Sequence, residues 1–246
     1  MESTIPVFVL HVKQGYEDRA RHMERTLAAH GIVFEYMLDG DMTELTPELQ
    51  QRFFGSAGTP TPHKSCAAKH LLTYEKIVRE NIPYALIFED DMFITKQFDR
   101  TFDSALREMM QRHGESEPFL VGFEATCMGF VPRSQRVKGQ VAYPGRFLQC
   151  LGCYLVNKAF AQAILTAAET EKCTRPVDLW INEFRHKTDD SGKGLFHLYW
   201  SHPVVAVQGS HMGKFTSSIG NPVRFPLKNL RRSLTFFYKK ILYFFR

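Results

Sequence analysis

Residues 84–91 read Tyr-Ala-Leu-Ile-Phe-Glu-Asp-Asp, five apolar residues running straight into three carboxylates. An apolar run this short, introduced by Pro83, reads as a strand buried on both faces. Strands of that kind belong to parallel sheets covered by helices. Three adjacent carboxylates repel one another, so the repulsion needs an offset. In open parallel sheets ligands bind just outside the carboxyl ends of the strands, where this triplet falls. Side chains alternate along an extended chain, so Glu89 and Asp91 are expected on one side and Asp90 on the other. That spacing suits a divalent cation with hard oxygen ligands, Mn2+ or Mg2+, which would neutralise a nucleotide pyrophosphate. A solvated acidic loop is the bland alternative.

Working outward, residues 5–11 read as a second buried strand. Residues 16–30 show helical spacing, with Ala20, Met23 and Leu27 on one side and Gly31 as the stop. Residues 32–38 form the next strand and end in Asp39-Gly40. This βαβ opening favours a parallel sheet. A short helix is expected at 47–54, a loop at 55–63, and a helix at 65–81 whose apolar face is Ala68, Leu71, Leu72 and Ile77. Beyond the acidic triplet the reading is helix 99–113, strand 118–123, loops or a hairpin over 124–146, and strand 147–156. Helices at 159–171 and 177–186 follow, and strands 195–201 and 204–208 complete the sheet. Strands alternating with helices predict a three-layer α/β/α fold with a mostly parallel central sheet.

At 246 residues with 44% hydrophobic and 23% charged, the chain suffices for one large α/β domain, placed at residues 1–222. No stretch reaches the roughly 18 apolar residues that a spanning helix needs, and residues 1–6 lack a signal-peptide pattern, so the body is expected in the cytoplasm. Five cysteines, an odd number in a chain too long to need staples, predict free thiols. Cys150-Leu-Gly-Cys153 lacks a second pair at zinc spacing and reads as inert.

The formal charge is +5, yet residues 223–246 carry seven basic residues and no acidic one, leaving −2 on the first 222. A body of that charge is not built to grip nucleic acid. In the tail, Pro226 can open a helix, and Leu227, Leu230, Leu234, Phe237, Ile241 and Phe244 recur at three-and-four spacing. Lys228, Arg231, Arg232 and Lys239 fall on the opposite side. Such an amphipathic helix is expected to lie on an anionic membrane surface. The alternative is that its stripe packs on the body or on a second subunit.

Residues 82–91, with Cys66-x-x-x-His70 before them, resemble glycosyltransferase family 25, the lipooligosaccharide galactosyltransferases and related collagen galactosyltransferase domains. Further matches keep the same order. They are residues 5–10 with Arg19 and Arg21, Gly152-Cys-Tyr-Leu-Val156 with Ala159, Pro176-Val-Asp178, and residues 203–208 leading to His211 and Ser217-Ser-Ile219. The resemblance covers roughly residues 5–220. It departs around the 66–70 helix, where Ser65 and Lys69 replace the family's usual Gly and Ser.

The resemblance implies a GT-A-like nucleotide-sugar-binding fold, a uridine-diphosphate (UDP) sugar donor, a divalent metal and inversion at the anomeric carbon. It implies Asp91 as a direct metal ligand, Glu89 at the ribose or a metal-bound water, and Asp90 in support. His211 would be an extra metal ligand, and His70 would serve the donor. Arg19, Arg21 and Lys214 are cations that could meet donor phosphate, with a solvated surface as their default reading. For the base that deprotonates the acceptor hydroxyl, Asp178 is preferred, although Asp there also suits a helix N-cap. Glu124, at the end of another apolar strand, is the second candidate base, or else a loop carboxylate.

The expected reaction is galactosyl transfer from UDP-galactose to a lipid-linked oligosaccharide at the inner face of a bacterial inner membrane. UDP-glucose or a UDP-N-acetylhexosamine is the alternative donor. Nucleotidyl transfer and a non-catalytic membrane-bound binding module are the rival classes.

Overall fold

The computed structural model describes residues 5–124, 130–185, 187, 194–216 and eight residues between 234 and 245. Its centre is a seven-stranded sheet. The strands are β1 (Val7–Leu10), β2 (Glu35–Met37), β3 (Tyr84–Glu89), β5 (Phe119–Gly122), β6 (Ala142–Pro144), β7 (Cys153–Asn157) and β8 (His197–Ser201), in the order β2-β1-β3-β7-β5-β8-β6. β1 pairs parallel with β2 and β3, and β5 parallel with β8, whereas β7 and the edge strand β6 run the other way. Five of seven strands thus share one direction, the mostly parallel arrangement expected.

The alternation of side chains separates two cores. Val7, Val9, Leu86 and Phe88 face a layer made by α1 (Glu17–Ala29) and α4 (Phe98–Arg112), including Met23, Leu27, Phe98 and Phe102. Phe8, Leu10, Ala85 and Ile87 face the other layer. That layer holds α2 (Pro47–Phe54), α3 (Pro62–Arg79), α5 (Lys158–Thr170) and α6 (Val177–Phe184). The run 84–88 is therefore apolar throughout because both of its faces are covered, and each such large side chain contributes about 1.5–3 kcal/mol.

Several boundaries differ from expectation. Helix α3 begins at Pro62, three residues early, because Thr61 accepts a hydrogen bond from Lys64 N at 3.2 Å and Pro62 occupies the first turn. Only the second half of the strand expected at 147–156 is extended. Cys150 lies at φ 74°, and the preceding loop hangs on side chains of α6, with Leu148 N donating to Asn182 Oδ1 at 2.8 Å. The final strand, β9 (Ala206–Gln208), does not complete the sheet. It pairs antiparallel with β4 (Met92–Ile94), a three-residue strand too short to announce itself in the sequence.

Four cysteines, Cys66, Cys150, Cys153 and Cys173, are free thiols, and Cys127 lies outside the described residues. No helix among the described residues is long and apolar enough to cross a membrane. In the tail the described residues are helical, and Leu234, Phe237 and Ile241 are exposed. Leu227, Leu230, Phe244, Lys228, Arg231 and Arg232 lie outside the described residues, as do Ser217, Ser218 and Ile219.

Candidate functional site

The carboxyl ends of β1 and β3 open into a cavity of about 440 Å³ bounded by α1, α3 and the segment after β2. Glu89 and Asp90 line it, together with His11, Arg19, Lys69 and Asp41. The strand stops at Glu89, and Asp90-Asp91 turn the chain into β4, so strict alternation ends where the carboxylates begin. The three acids consequently leave in three directions.

Asp90 is held by a histidine and an arginine. His11 Nδ1 lies 2.8 Å from its Oδ2, and Arg19 Nη1 donates to Oδ1 at 2.7 Å. The Arg19 guanidinium also donates to the Thr216 carbonyl and lies over the Tyr16 ring at 4.8 Å. Its fork therefore organises Asp90 as it lines the cavity. Arg21, by contrast, is exposed and paired with Asp18, and Lys214 is exposed.

Glu89 points toward α3. Gln208 Nε2 donates to its Oε2 at 2.9 Å, and Cys66 Sγ and His70 Nε2 stand 3.7 and 3.5 Å from its Oε1. His70 is fully buried, with its Nδ1 2.7 Å from the Tyr154 hydroxyl, itself 2.9 Å from that of Tyr74. It thus meets the cavity only through Glu89. Burial, then the neighbouring Glu89 carboxylate, push the Cys66 thiol well above its ordinary value, which keeps it protonated at neutral pH.

Asp91 turns under the segment after β9. Ser210 N donates to its Oδ2 at 3.0 Å and Gly209 N to its carbonyl at 2.7 Å. Its Oδ1 is buried with no hydrogen-bond partner among the described residues. Burial, with Glu89 nearby, lifts its pKa to about 6. A buried, half-satisfied carboxylate beside a second acid is the donor chemistry that a hard divalent cation relieves, so Asp91 and Glu89 fit Mn2+ or Mg2+. His211 is on the same turn as Ser210. Among the described residues, its ligand atoms do not gather with those of Glu89 and Asp91 within 4.8 Å, whereas those of Cys66, His70 and Glu89 do.

Gly209 makes the Asp91 turn possible. A Cβ there would lie 2.6 Å from Phe215 Cδ2, 2.8 Å from Phe93 Cε2 and 2.9 Å from the Asp91 carbonyl oxygen. Gly209→Ala is expected to cost about 1–3 kcal/mol in urea unfolding and to lower turnover along with stability, because the turn holding Asp91 must shift. A variant as stable and active as the wild type would show that the turn is free to adjust.

The two candidate bases are placed differently. Glu124 is buried beyond β5, accepts from Gly152 N, and bridges to Ala206, so it ties the glycine ahead of β7 to the β9 strand. Asp178 is not the N-cap. It stands in the first turn of α6, after Pro176, and accepts from Leu179 N at 2.9 Å and from Cys150 N at 2.8 Å. It remains partly exposed and near enough to Cys66 to contribute to the rise of that thiol.

Sequence reasoning left His11, Gln208, Lys69 and Asp41 without roles. His11 follows the last residue of β1, so the rule that singled out the acids after β3 applied to it equally. Lys69, almost completely buried, pairs with Asp41 at 2.8 Å and donates to the Leu38 carbonyl at 2.7 Å. Gln208 had no local signal, since only the β4–β9 pairing brings it to Glu89.

The lacto-N-neotetraose biosynthesis glycosyltransferase LgtB of Neisseria gonorrhoeae is 24% identical over 214 residues, 80% of this chain and 72% of that protein. The lipooligosaccharide biosynthesis protein lic2B of Haemophilus influenzae is 24% identical over 144 residues, covering 56% of this chain and 52% of its own. A solved glycosyltransferase involved in glycosylation of the major capsid of PBCV-1 shares 10% identity over 68% of each chain at a TM-score of 0.35, too distant to speak to function. The family model described as glycosyltransferase family 25 (LPS biosynthesis protein) matches residues 4–181, a span from β1 into α6 that takes in the carboxylates after β3 and Asp178. A match over that much of the chain makes this protein a member of glycosyltransferase family 25.

Proposed function

We propose that the chain is an inverting glycosyltransferase that moves a hexosyl group, galactose first among the candidates, from a UDP-sugar to a lipooligosaccharide acceptor. The observation that carries this reading is the cavity at the carboxyl ends of β1 and β3, lined by Glu89 and Asp90, with the buried, half-satisfied Asp91 carboxylate next in the chain. The relatives' names support the acceptor class, since LgtB and lic2B are both named for oligosaccharide biosynthesis. UDP-glucose and UDP-N-acetylhexosamine remain the donors to test beside UDP-galactose.

Glu89 and Asp91 would hold Mn2+ or Mg2+, which supplies charge neutralisation on the departing diphosphate. The remaining work belongs to side chains. His11 and Arg19 hold Asp90 at the cavity wall, and Gln208 and the buried His70 orient Glu89. Asp178 serves as base: it takes the proton of the acceptor hydroxyl as that oxygen attacks the anomeric carbon opposite the diphosphate, whose bond to the sugar breaks with inversion. Glu124, already committed to Gly152 N, holds the β7 entry in place.

The test is release of UDP from a panel of UDP-sugars, with Mn2+, Mg2+ or chelator. Turnover of one sugar that needs the metal, and that is lost in Asp178→Asn once an acceptor is present, is the expected result. Absence of metal-dependent binding or release with every donor would overturn it.

The exposed apolar residues Leu234, Phe237 and Ile241, with the basic residues around them, support docking of the tail on the anionic inner face of a bacterial inner membrane. Full-length protein should sediment with vesicles containing anionic lipid, less so at high salt, and Leu234→Glu with Phe237→Glu should abolish this. Binding that ignores lipid charge or both substitutions would instead assign the stripe to protein.

A further inference from the structure

A second group of potential ligands lies at the opposite end of the sheet from the donor cavity. His113 caps the carboxyl end of α4, Glu117 follows in the turn before β5, and His197 opens β8. Backbone pairing fixes all three positions. His113 N donates to Met109 O at 2.9 Å and His197 N to Pro118 O at 2.8 Å, while Phe119 stands in register with His197. Gly114, at φ 58°, reverses the chain so that Glu117 comes back beneath His113.

The side chains converge. His113 Nδ1 is 2.9 Å from Glu117 Oε2, and His197 Nε2 is 3.8 Å from the same oxygen. The two imidazoles stack at 4.5 Å between centroids with 22° between planes. All three donor atoms fall within 4.8 Å of one another. The first distance is that of a hydrogen bond and the second that of an ion pair, so one carboxylate oxygen faces both imidazoles. An ion bound at about 2.0–2.2 Å holds its ligand atoms roughly 3–3.6 Å apart, so small side-chain rotations suffice to close the set.

The His113 Nε2 atom lies 2.7 Å from the Tyr199 hydroxyl. That outer contact fixes the ring and leaves Nδ1 turned toward the carboxylate, the arrangement that metal-ligating histidines show. We infer that His113, Glu117 and His197 supply three ligands of a transition-metal site. Two imidazoles and one carboxylate suit Zn2+, whereas the carboxylates Glu89 and Asp91 suit harder ions. Its place at the amino-terminal edge of β5 and β8 removes it from sugar transfer. Bound metal would staple the end of α4 to the start of two strands.

The site does not rest on the transferase reading, and its test is separate from turnover. The full chain would be dialysed against Zn2+ near neutral pH, with excess Mg2+ present to occupy hard-oxygen ligands. One zinc per chain is expected, with affinity falling at least tenfold in His197→Ala and in Glu117→Gln. Both side chains are about half exposed, so the variants should fold, and unchanged thermal unfolding in chelator would verify it. Zn2+ should raise the melting temperature of the wild type by several degrees and of neither variant. Co2+ in its place should give a spectrum without thiolate charge transfer. No retained zinc, affinity unmoved in both variants, or a thiolate band pointing to Cys66 would each overturn the inference.

Discussion

Asp91→Asn should lower donor turnover by about 10²–10³-fold, the loss typical of one preorganised electrostatic group, while making the metal-free protein more stable. The second half follows from the direction of the shift. The folded pKa of Asp91, about 6, lies above its unfolded value of 3.8 because burial, and then Glu89, penalise the charged form. The native state therefore holds this proton more tightly than the unfolded chain. The destabilisation is absent below the unfolded pKa, grows as pH rises from 3.8 to about 6, and is constant above.

Asparagine removes that cost and can still accept from Ser210 N. In chelator at slightly alkaline pH the gain should approach about 3 kcal/mol, or roughly 5 °C or more in Tm; it should shrink as pH falls below about 6 and vanish only below 3.8. Adding Mn2+ should then raise the wild type and leave the variant unmoved. Urea unfolding across that pH range, with and without metal, measures all of this. A variant less stable than the wild type in alkaline chelator would refute the burial account of Asp91.

Arg19→Ala is expected to be the most destabilising single change at the site. Asp90 is buried, with one oxygen given to His11 and the other to Arg19, and Arg19 is itself nearly buried between Tyr16 and Phe215. Removing one member of a buried pair leaves the other desolvated and unmatched, at a cost of about 3–5 kcal/mol. Arg19→Lys should recover part of the stability but not the fork that also reaches Thr216 O. Replacing the pair together, as Arg19→Met with Asp90→Leu, should be much milder than Arg19→Ala alone, because no lone charge remains. Equilibrium unfolding of the four proteins decides the matter. If the double variant is as damaged as the single, the guanidinium acts through packing on the rings and not through Asp90.

Much of the scaffold was legible because the elements near the site carry strong local signals. The run 84–88 is apolar at every position, and helix α2 was placed at its observed bounds, from Pro47 to the loop that opens at Gly55. The signals failed where pairing partners are distant. Met92–Ile94 has nothing strand-like of its own length, and becomes a strand only because β9 returns beside it. The strand expected at 147 begins at 153, because side chains of α6 hold the preceding loop. An apolar run identifies what is buried, not which contacts bury it.

The candidate site divides in the same way. By itself the sequence determined that three carboxylates follow a doubly buried strand, and hence that they stand at the edge of a mostly parallel sheet, because strand periodicity and burial are local properties of residues 84–91. Only the tertiary structure decided what each acid does. Asp90 is claimed by Arg19 and His11, Glu89 by Gln208 and the His70–Tyr154 pair, and Asp91 by a turn 119 residues away that satisfies one oxygen and leaves the other bare. Those partners come from α1, the residue after β1, α3, β7, and β9 with the turn that follows it. The chemistry of a carboxylate is set by what surrounds it once water is excluded, and no local pattern encodes surroundings assembled from five separate parts of the chain.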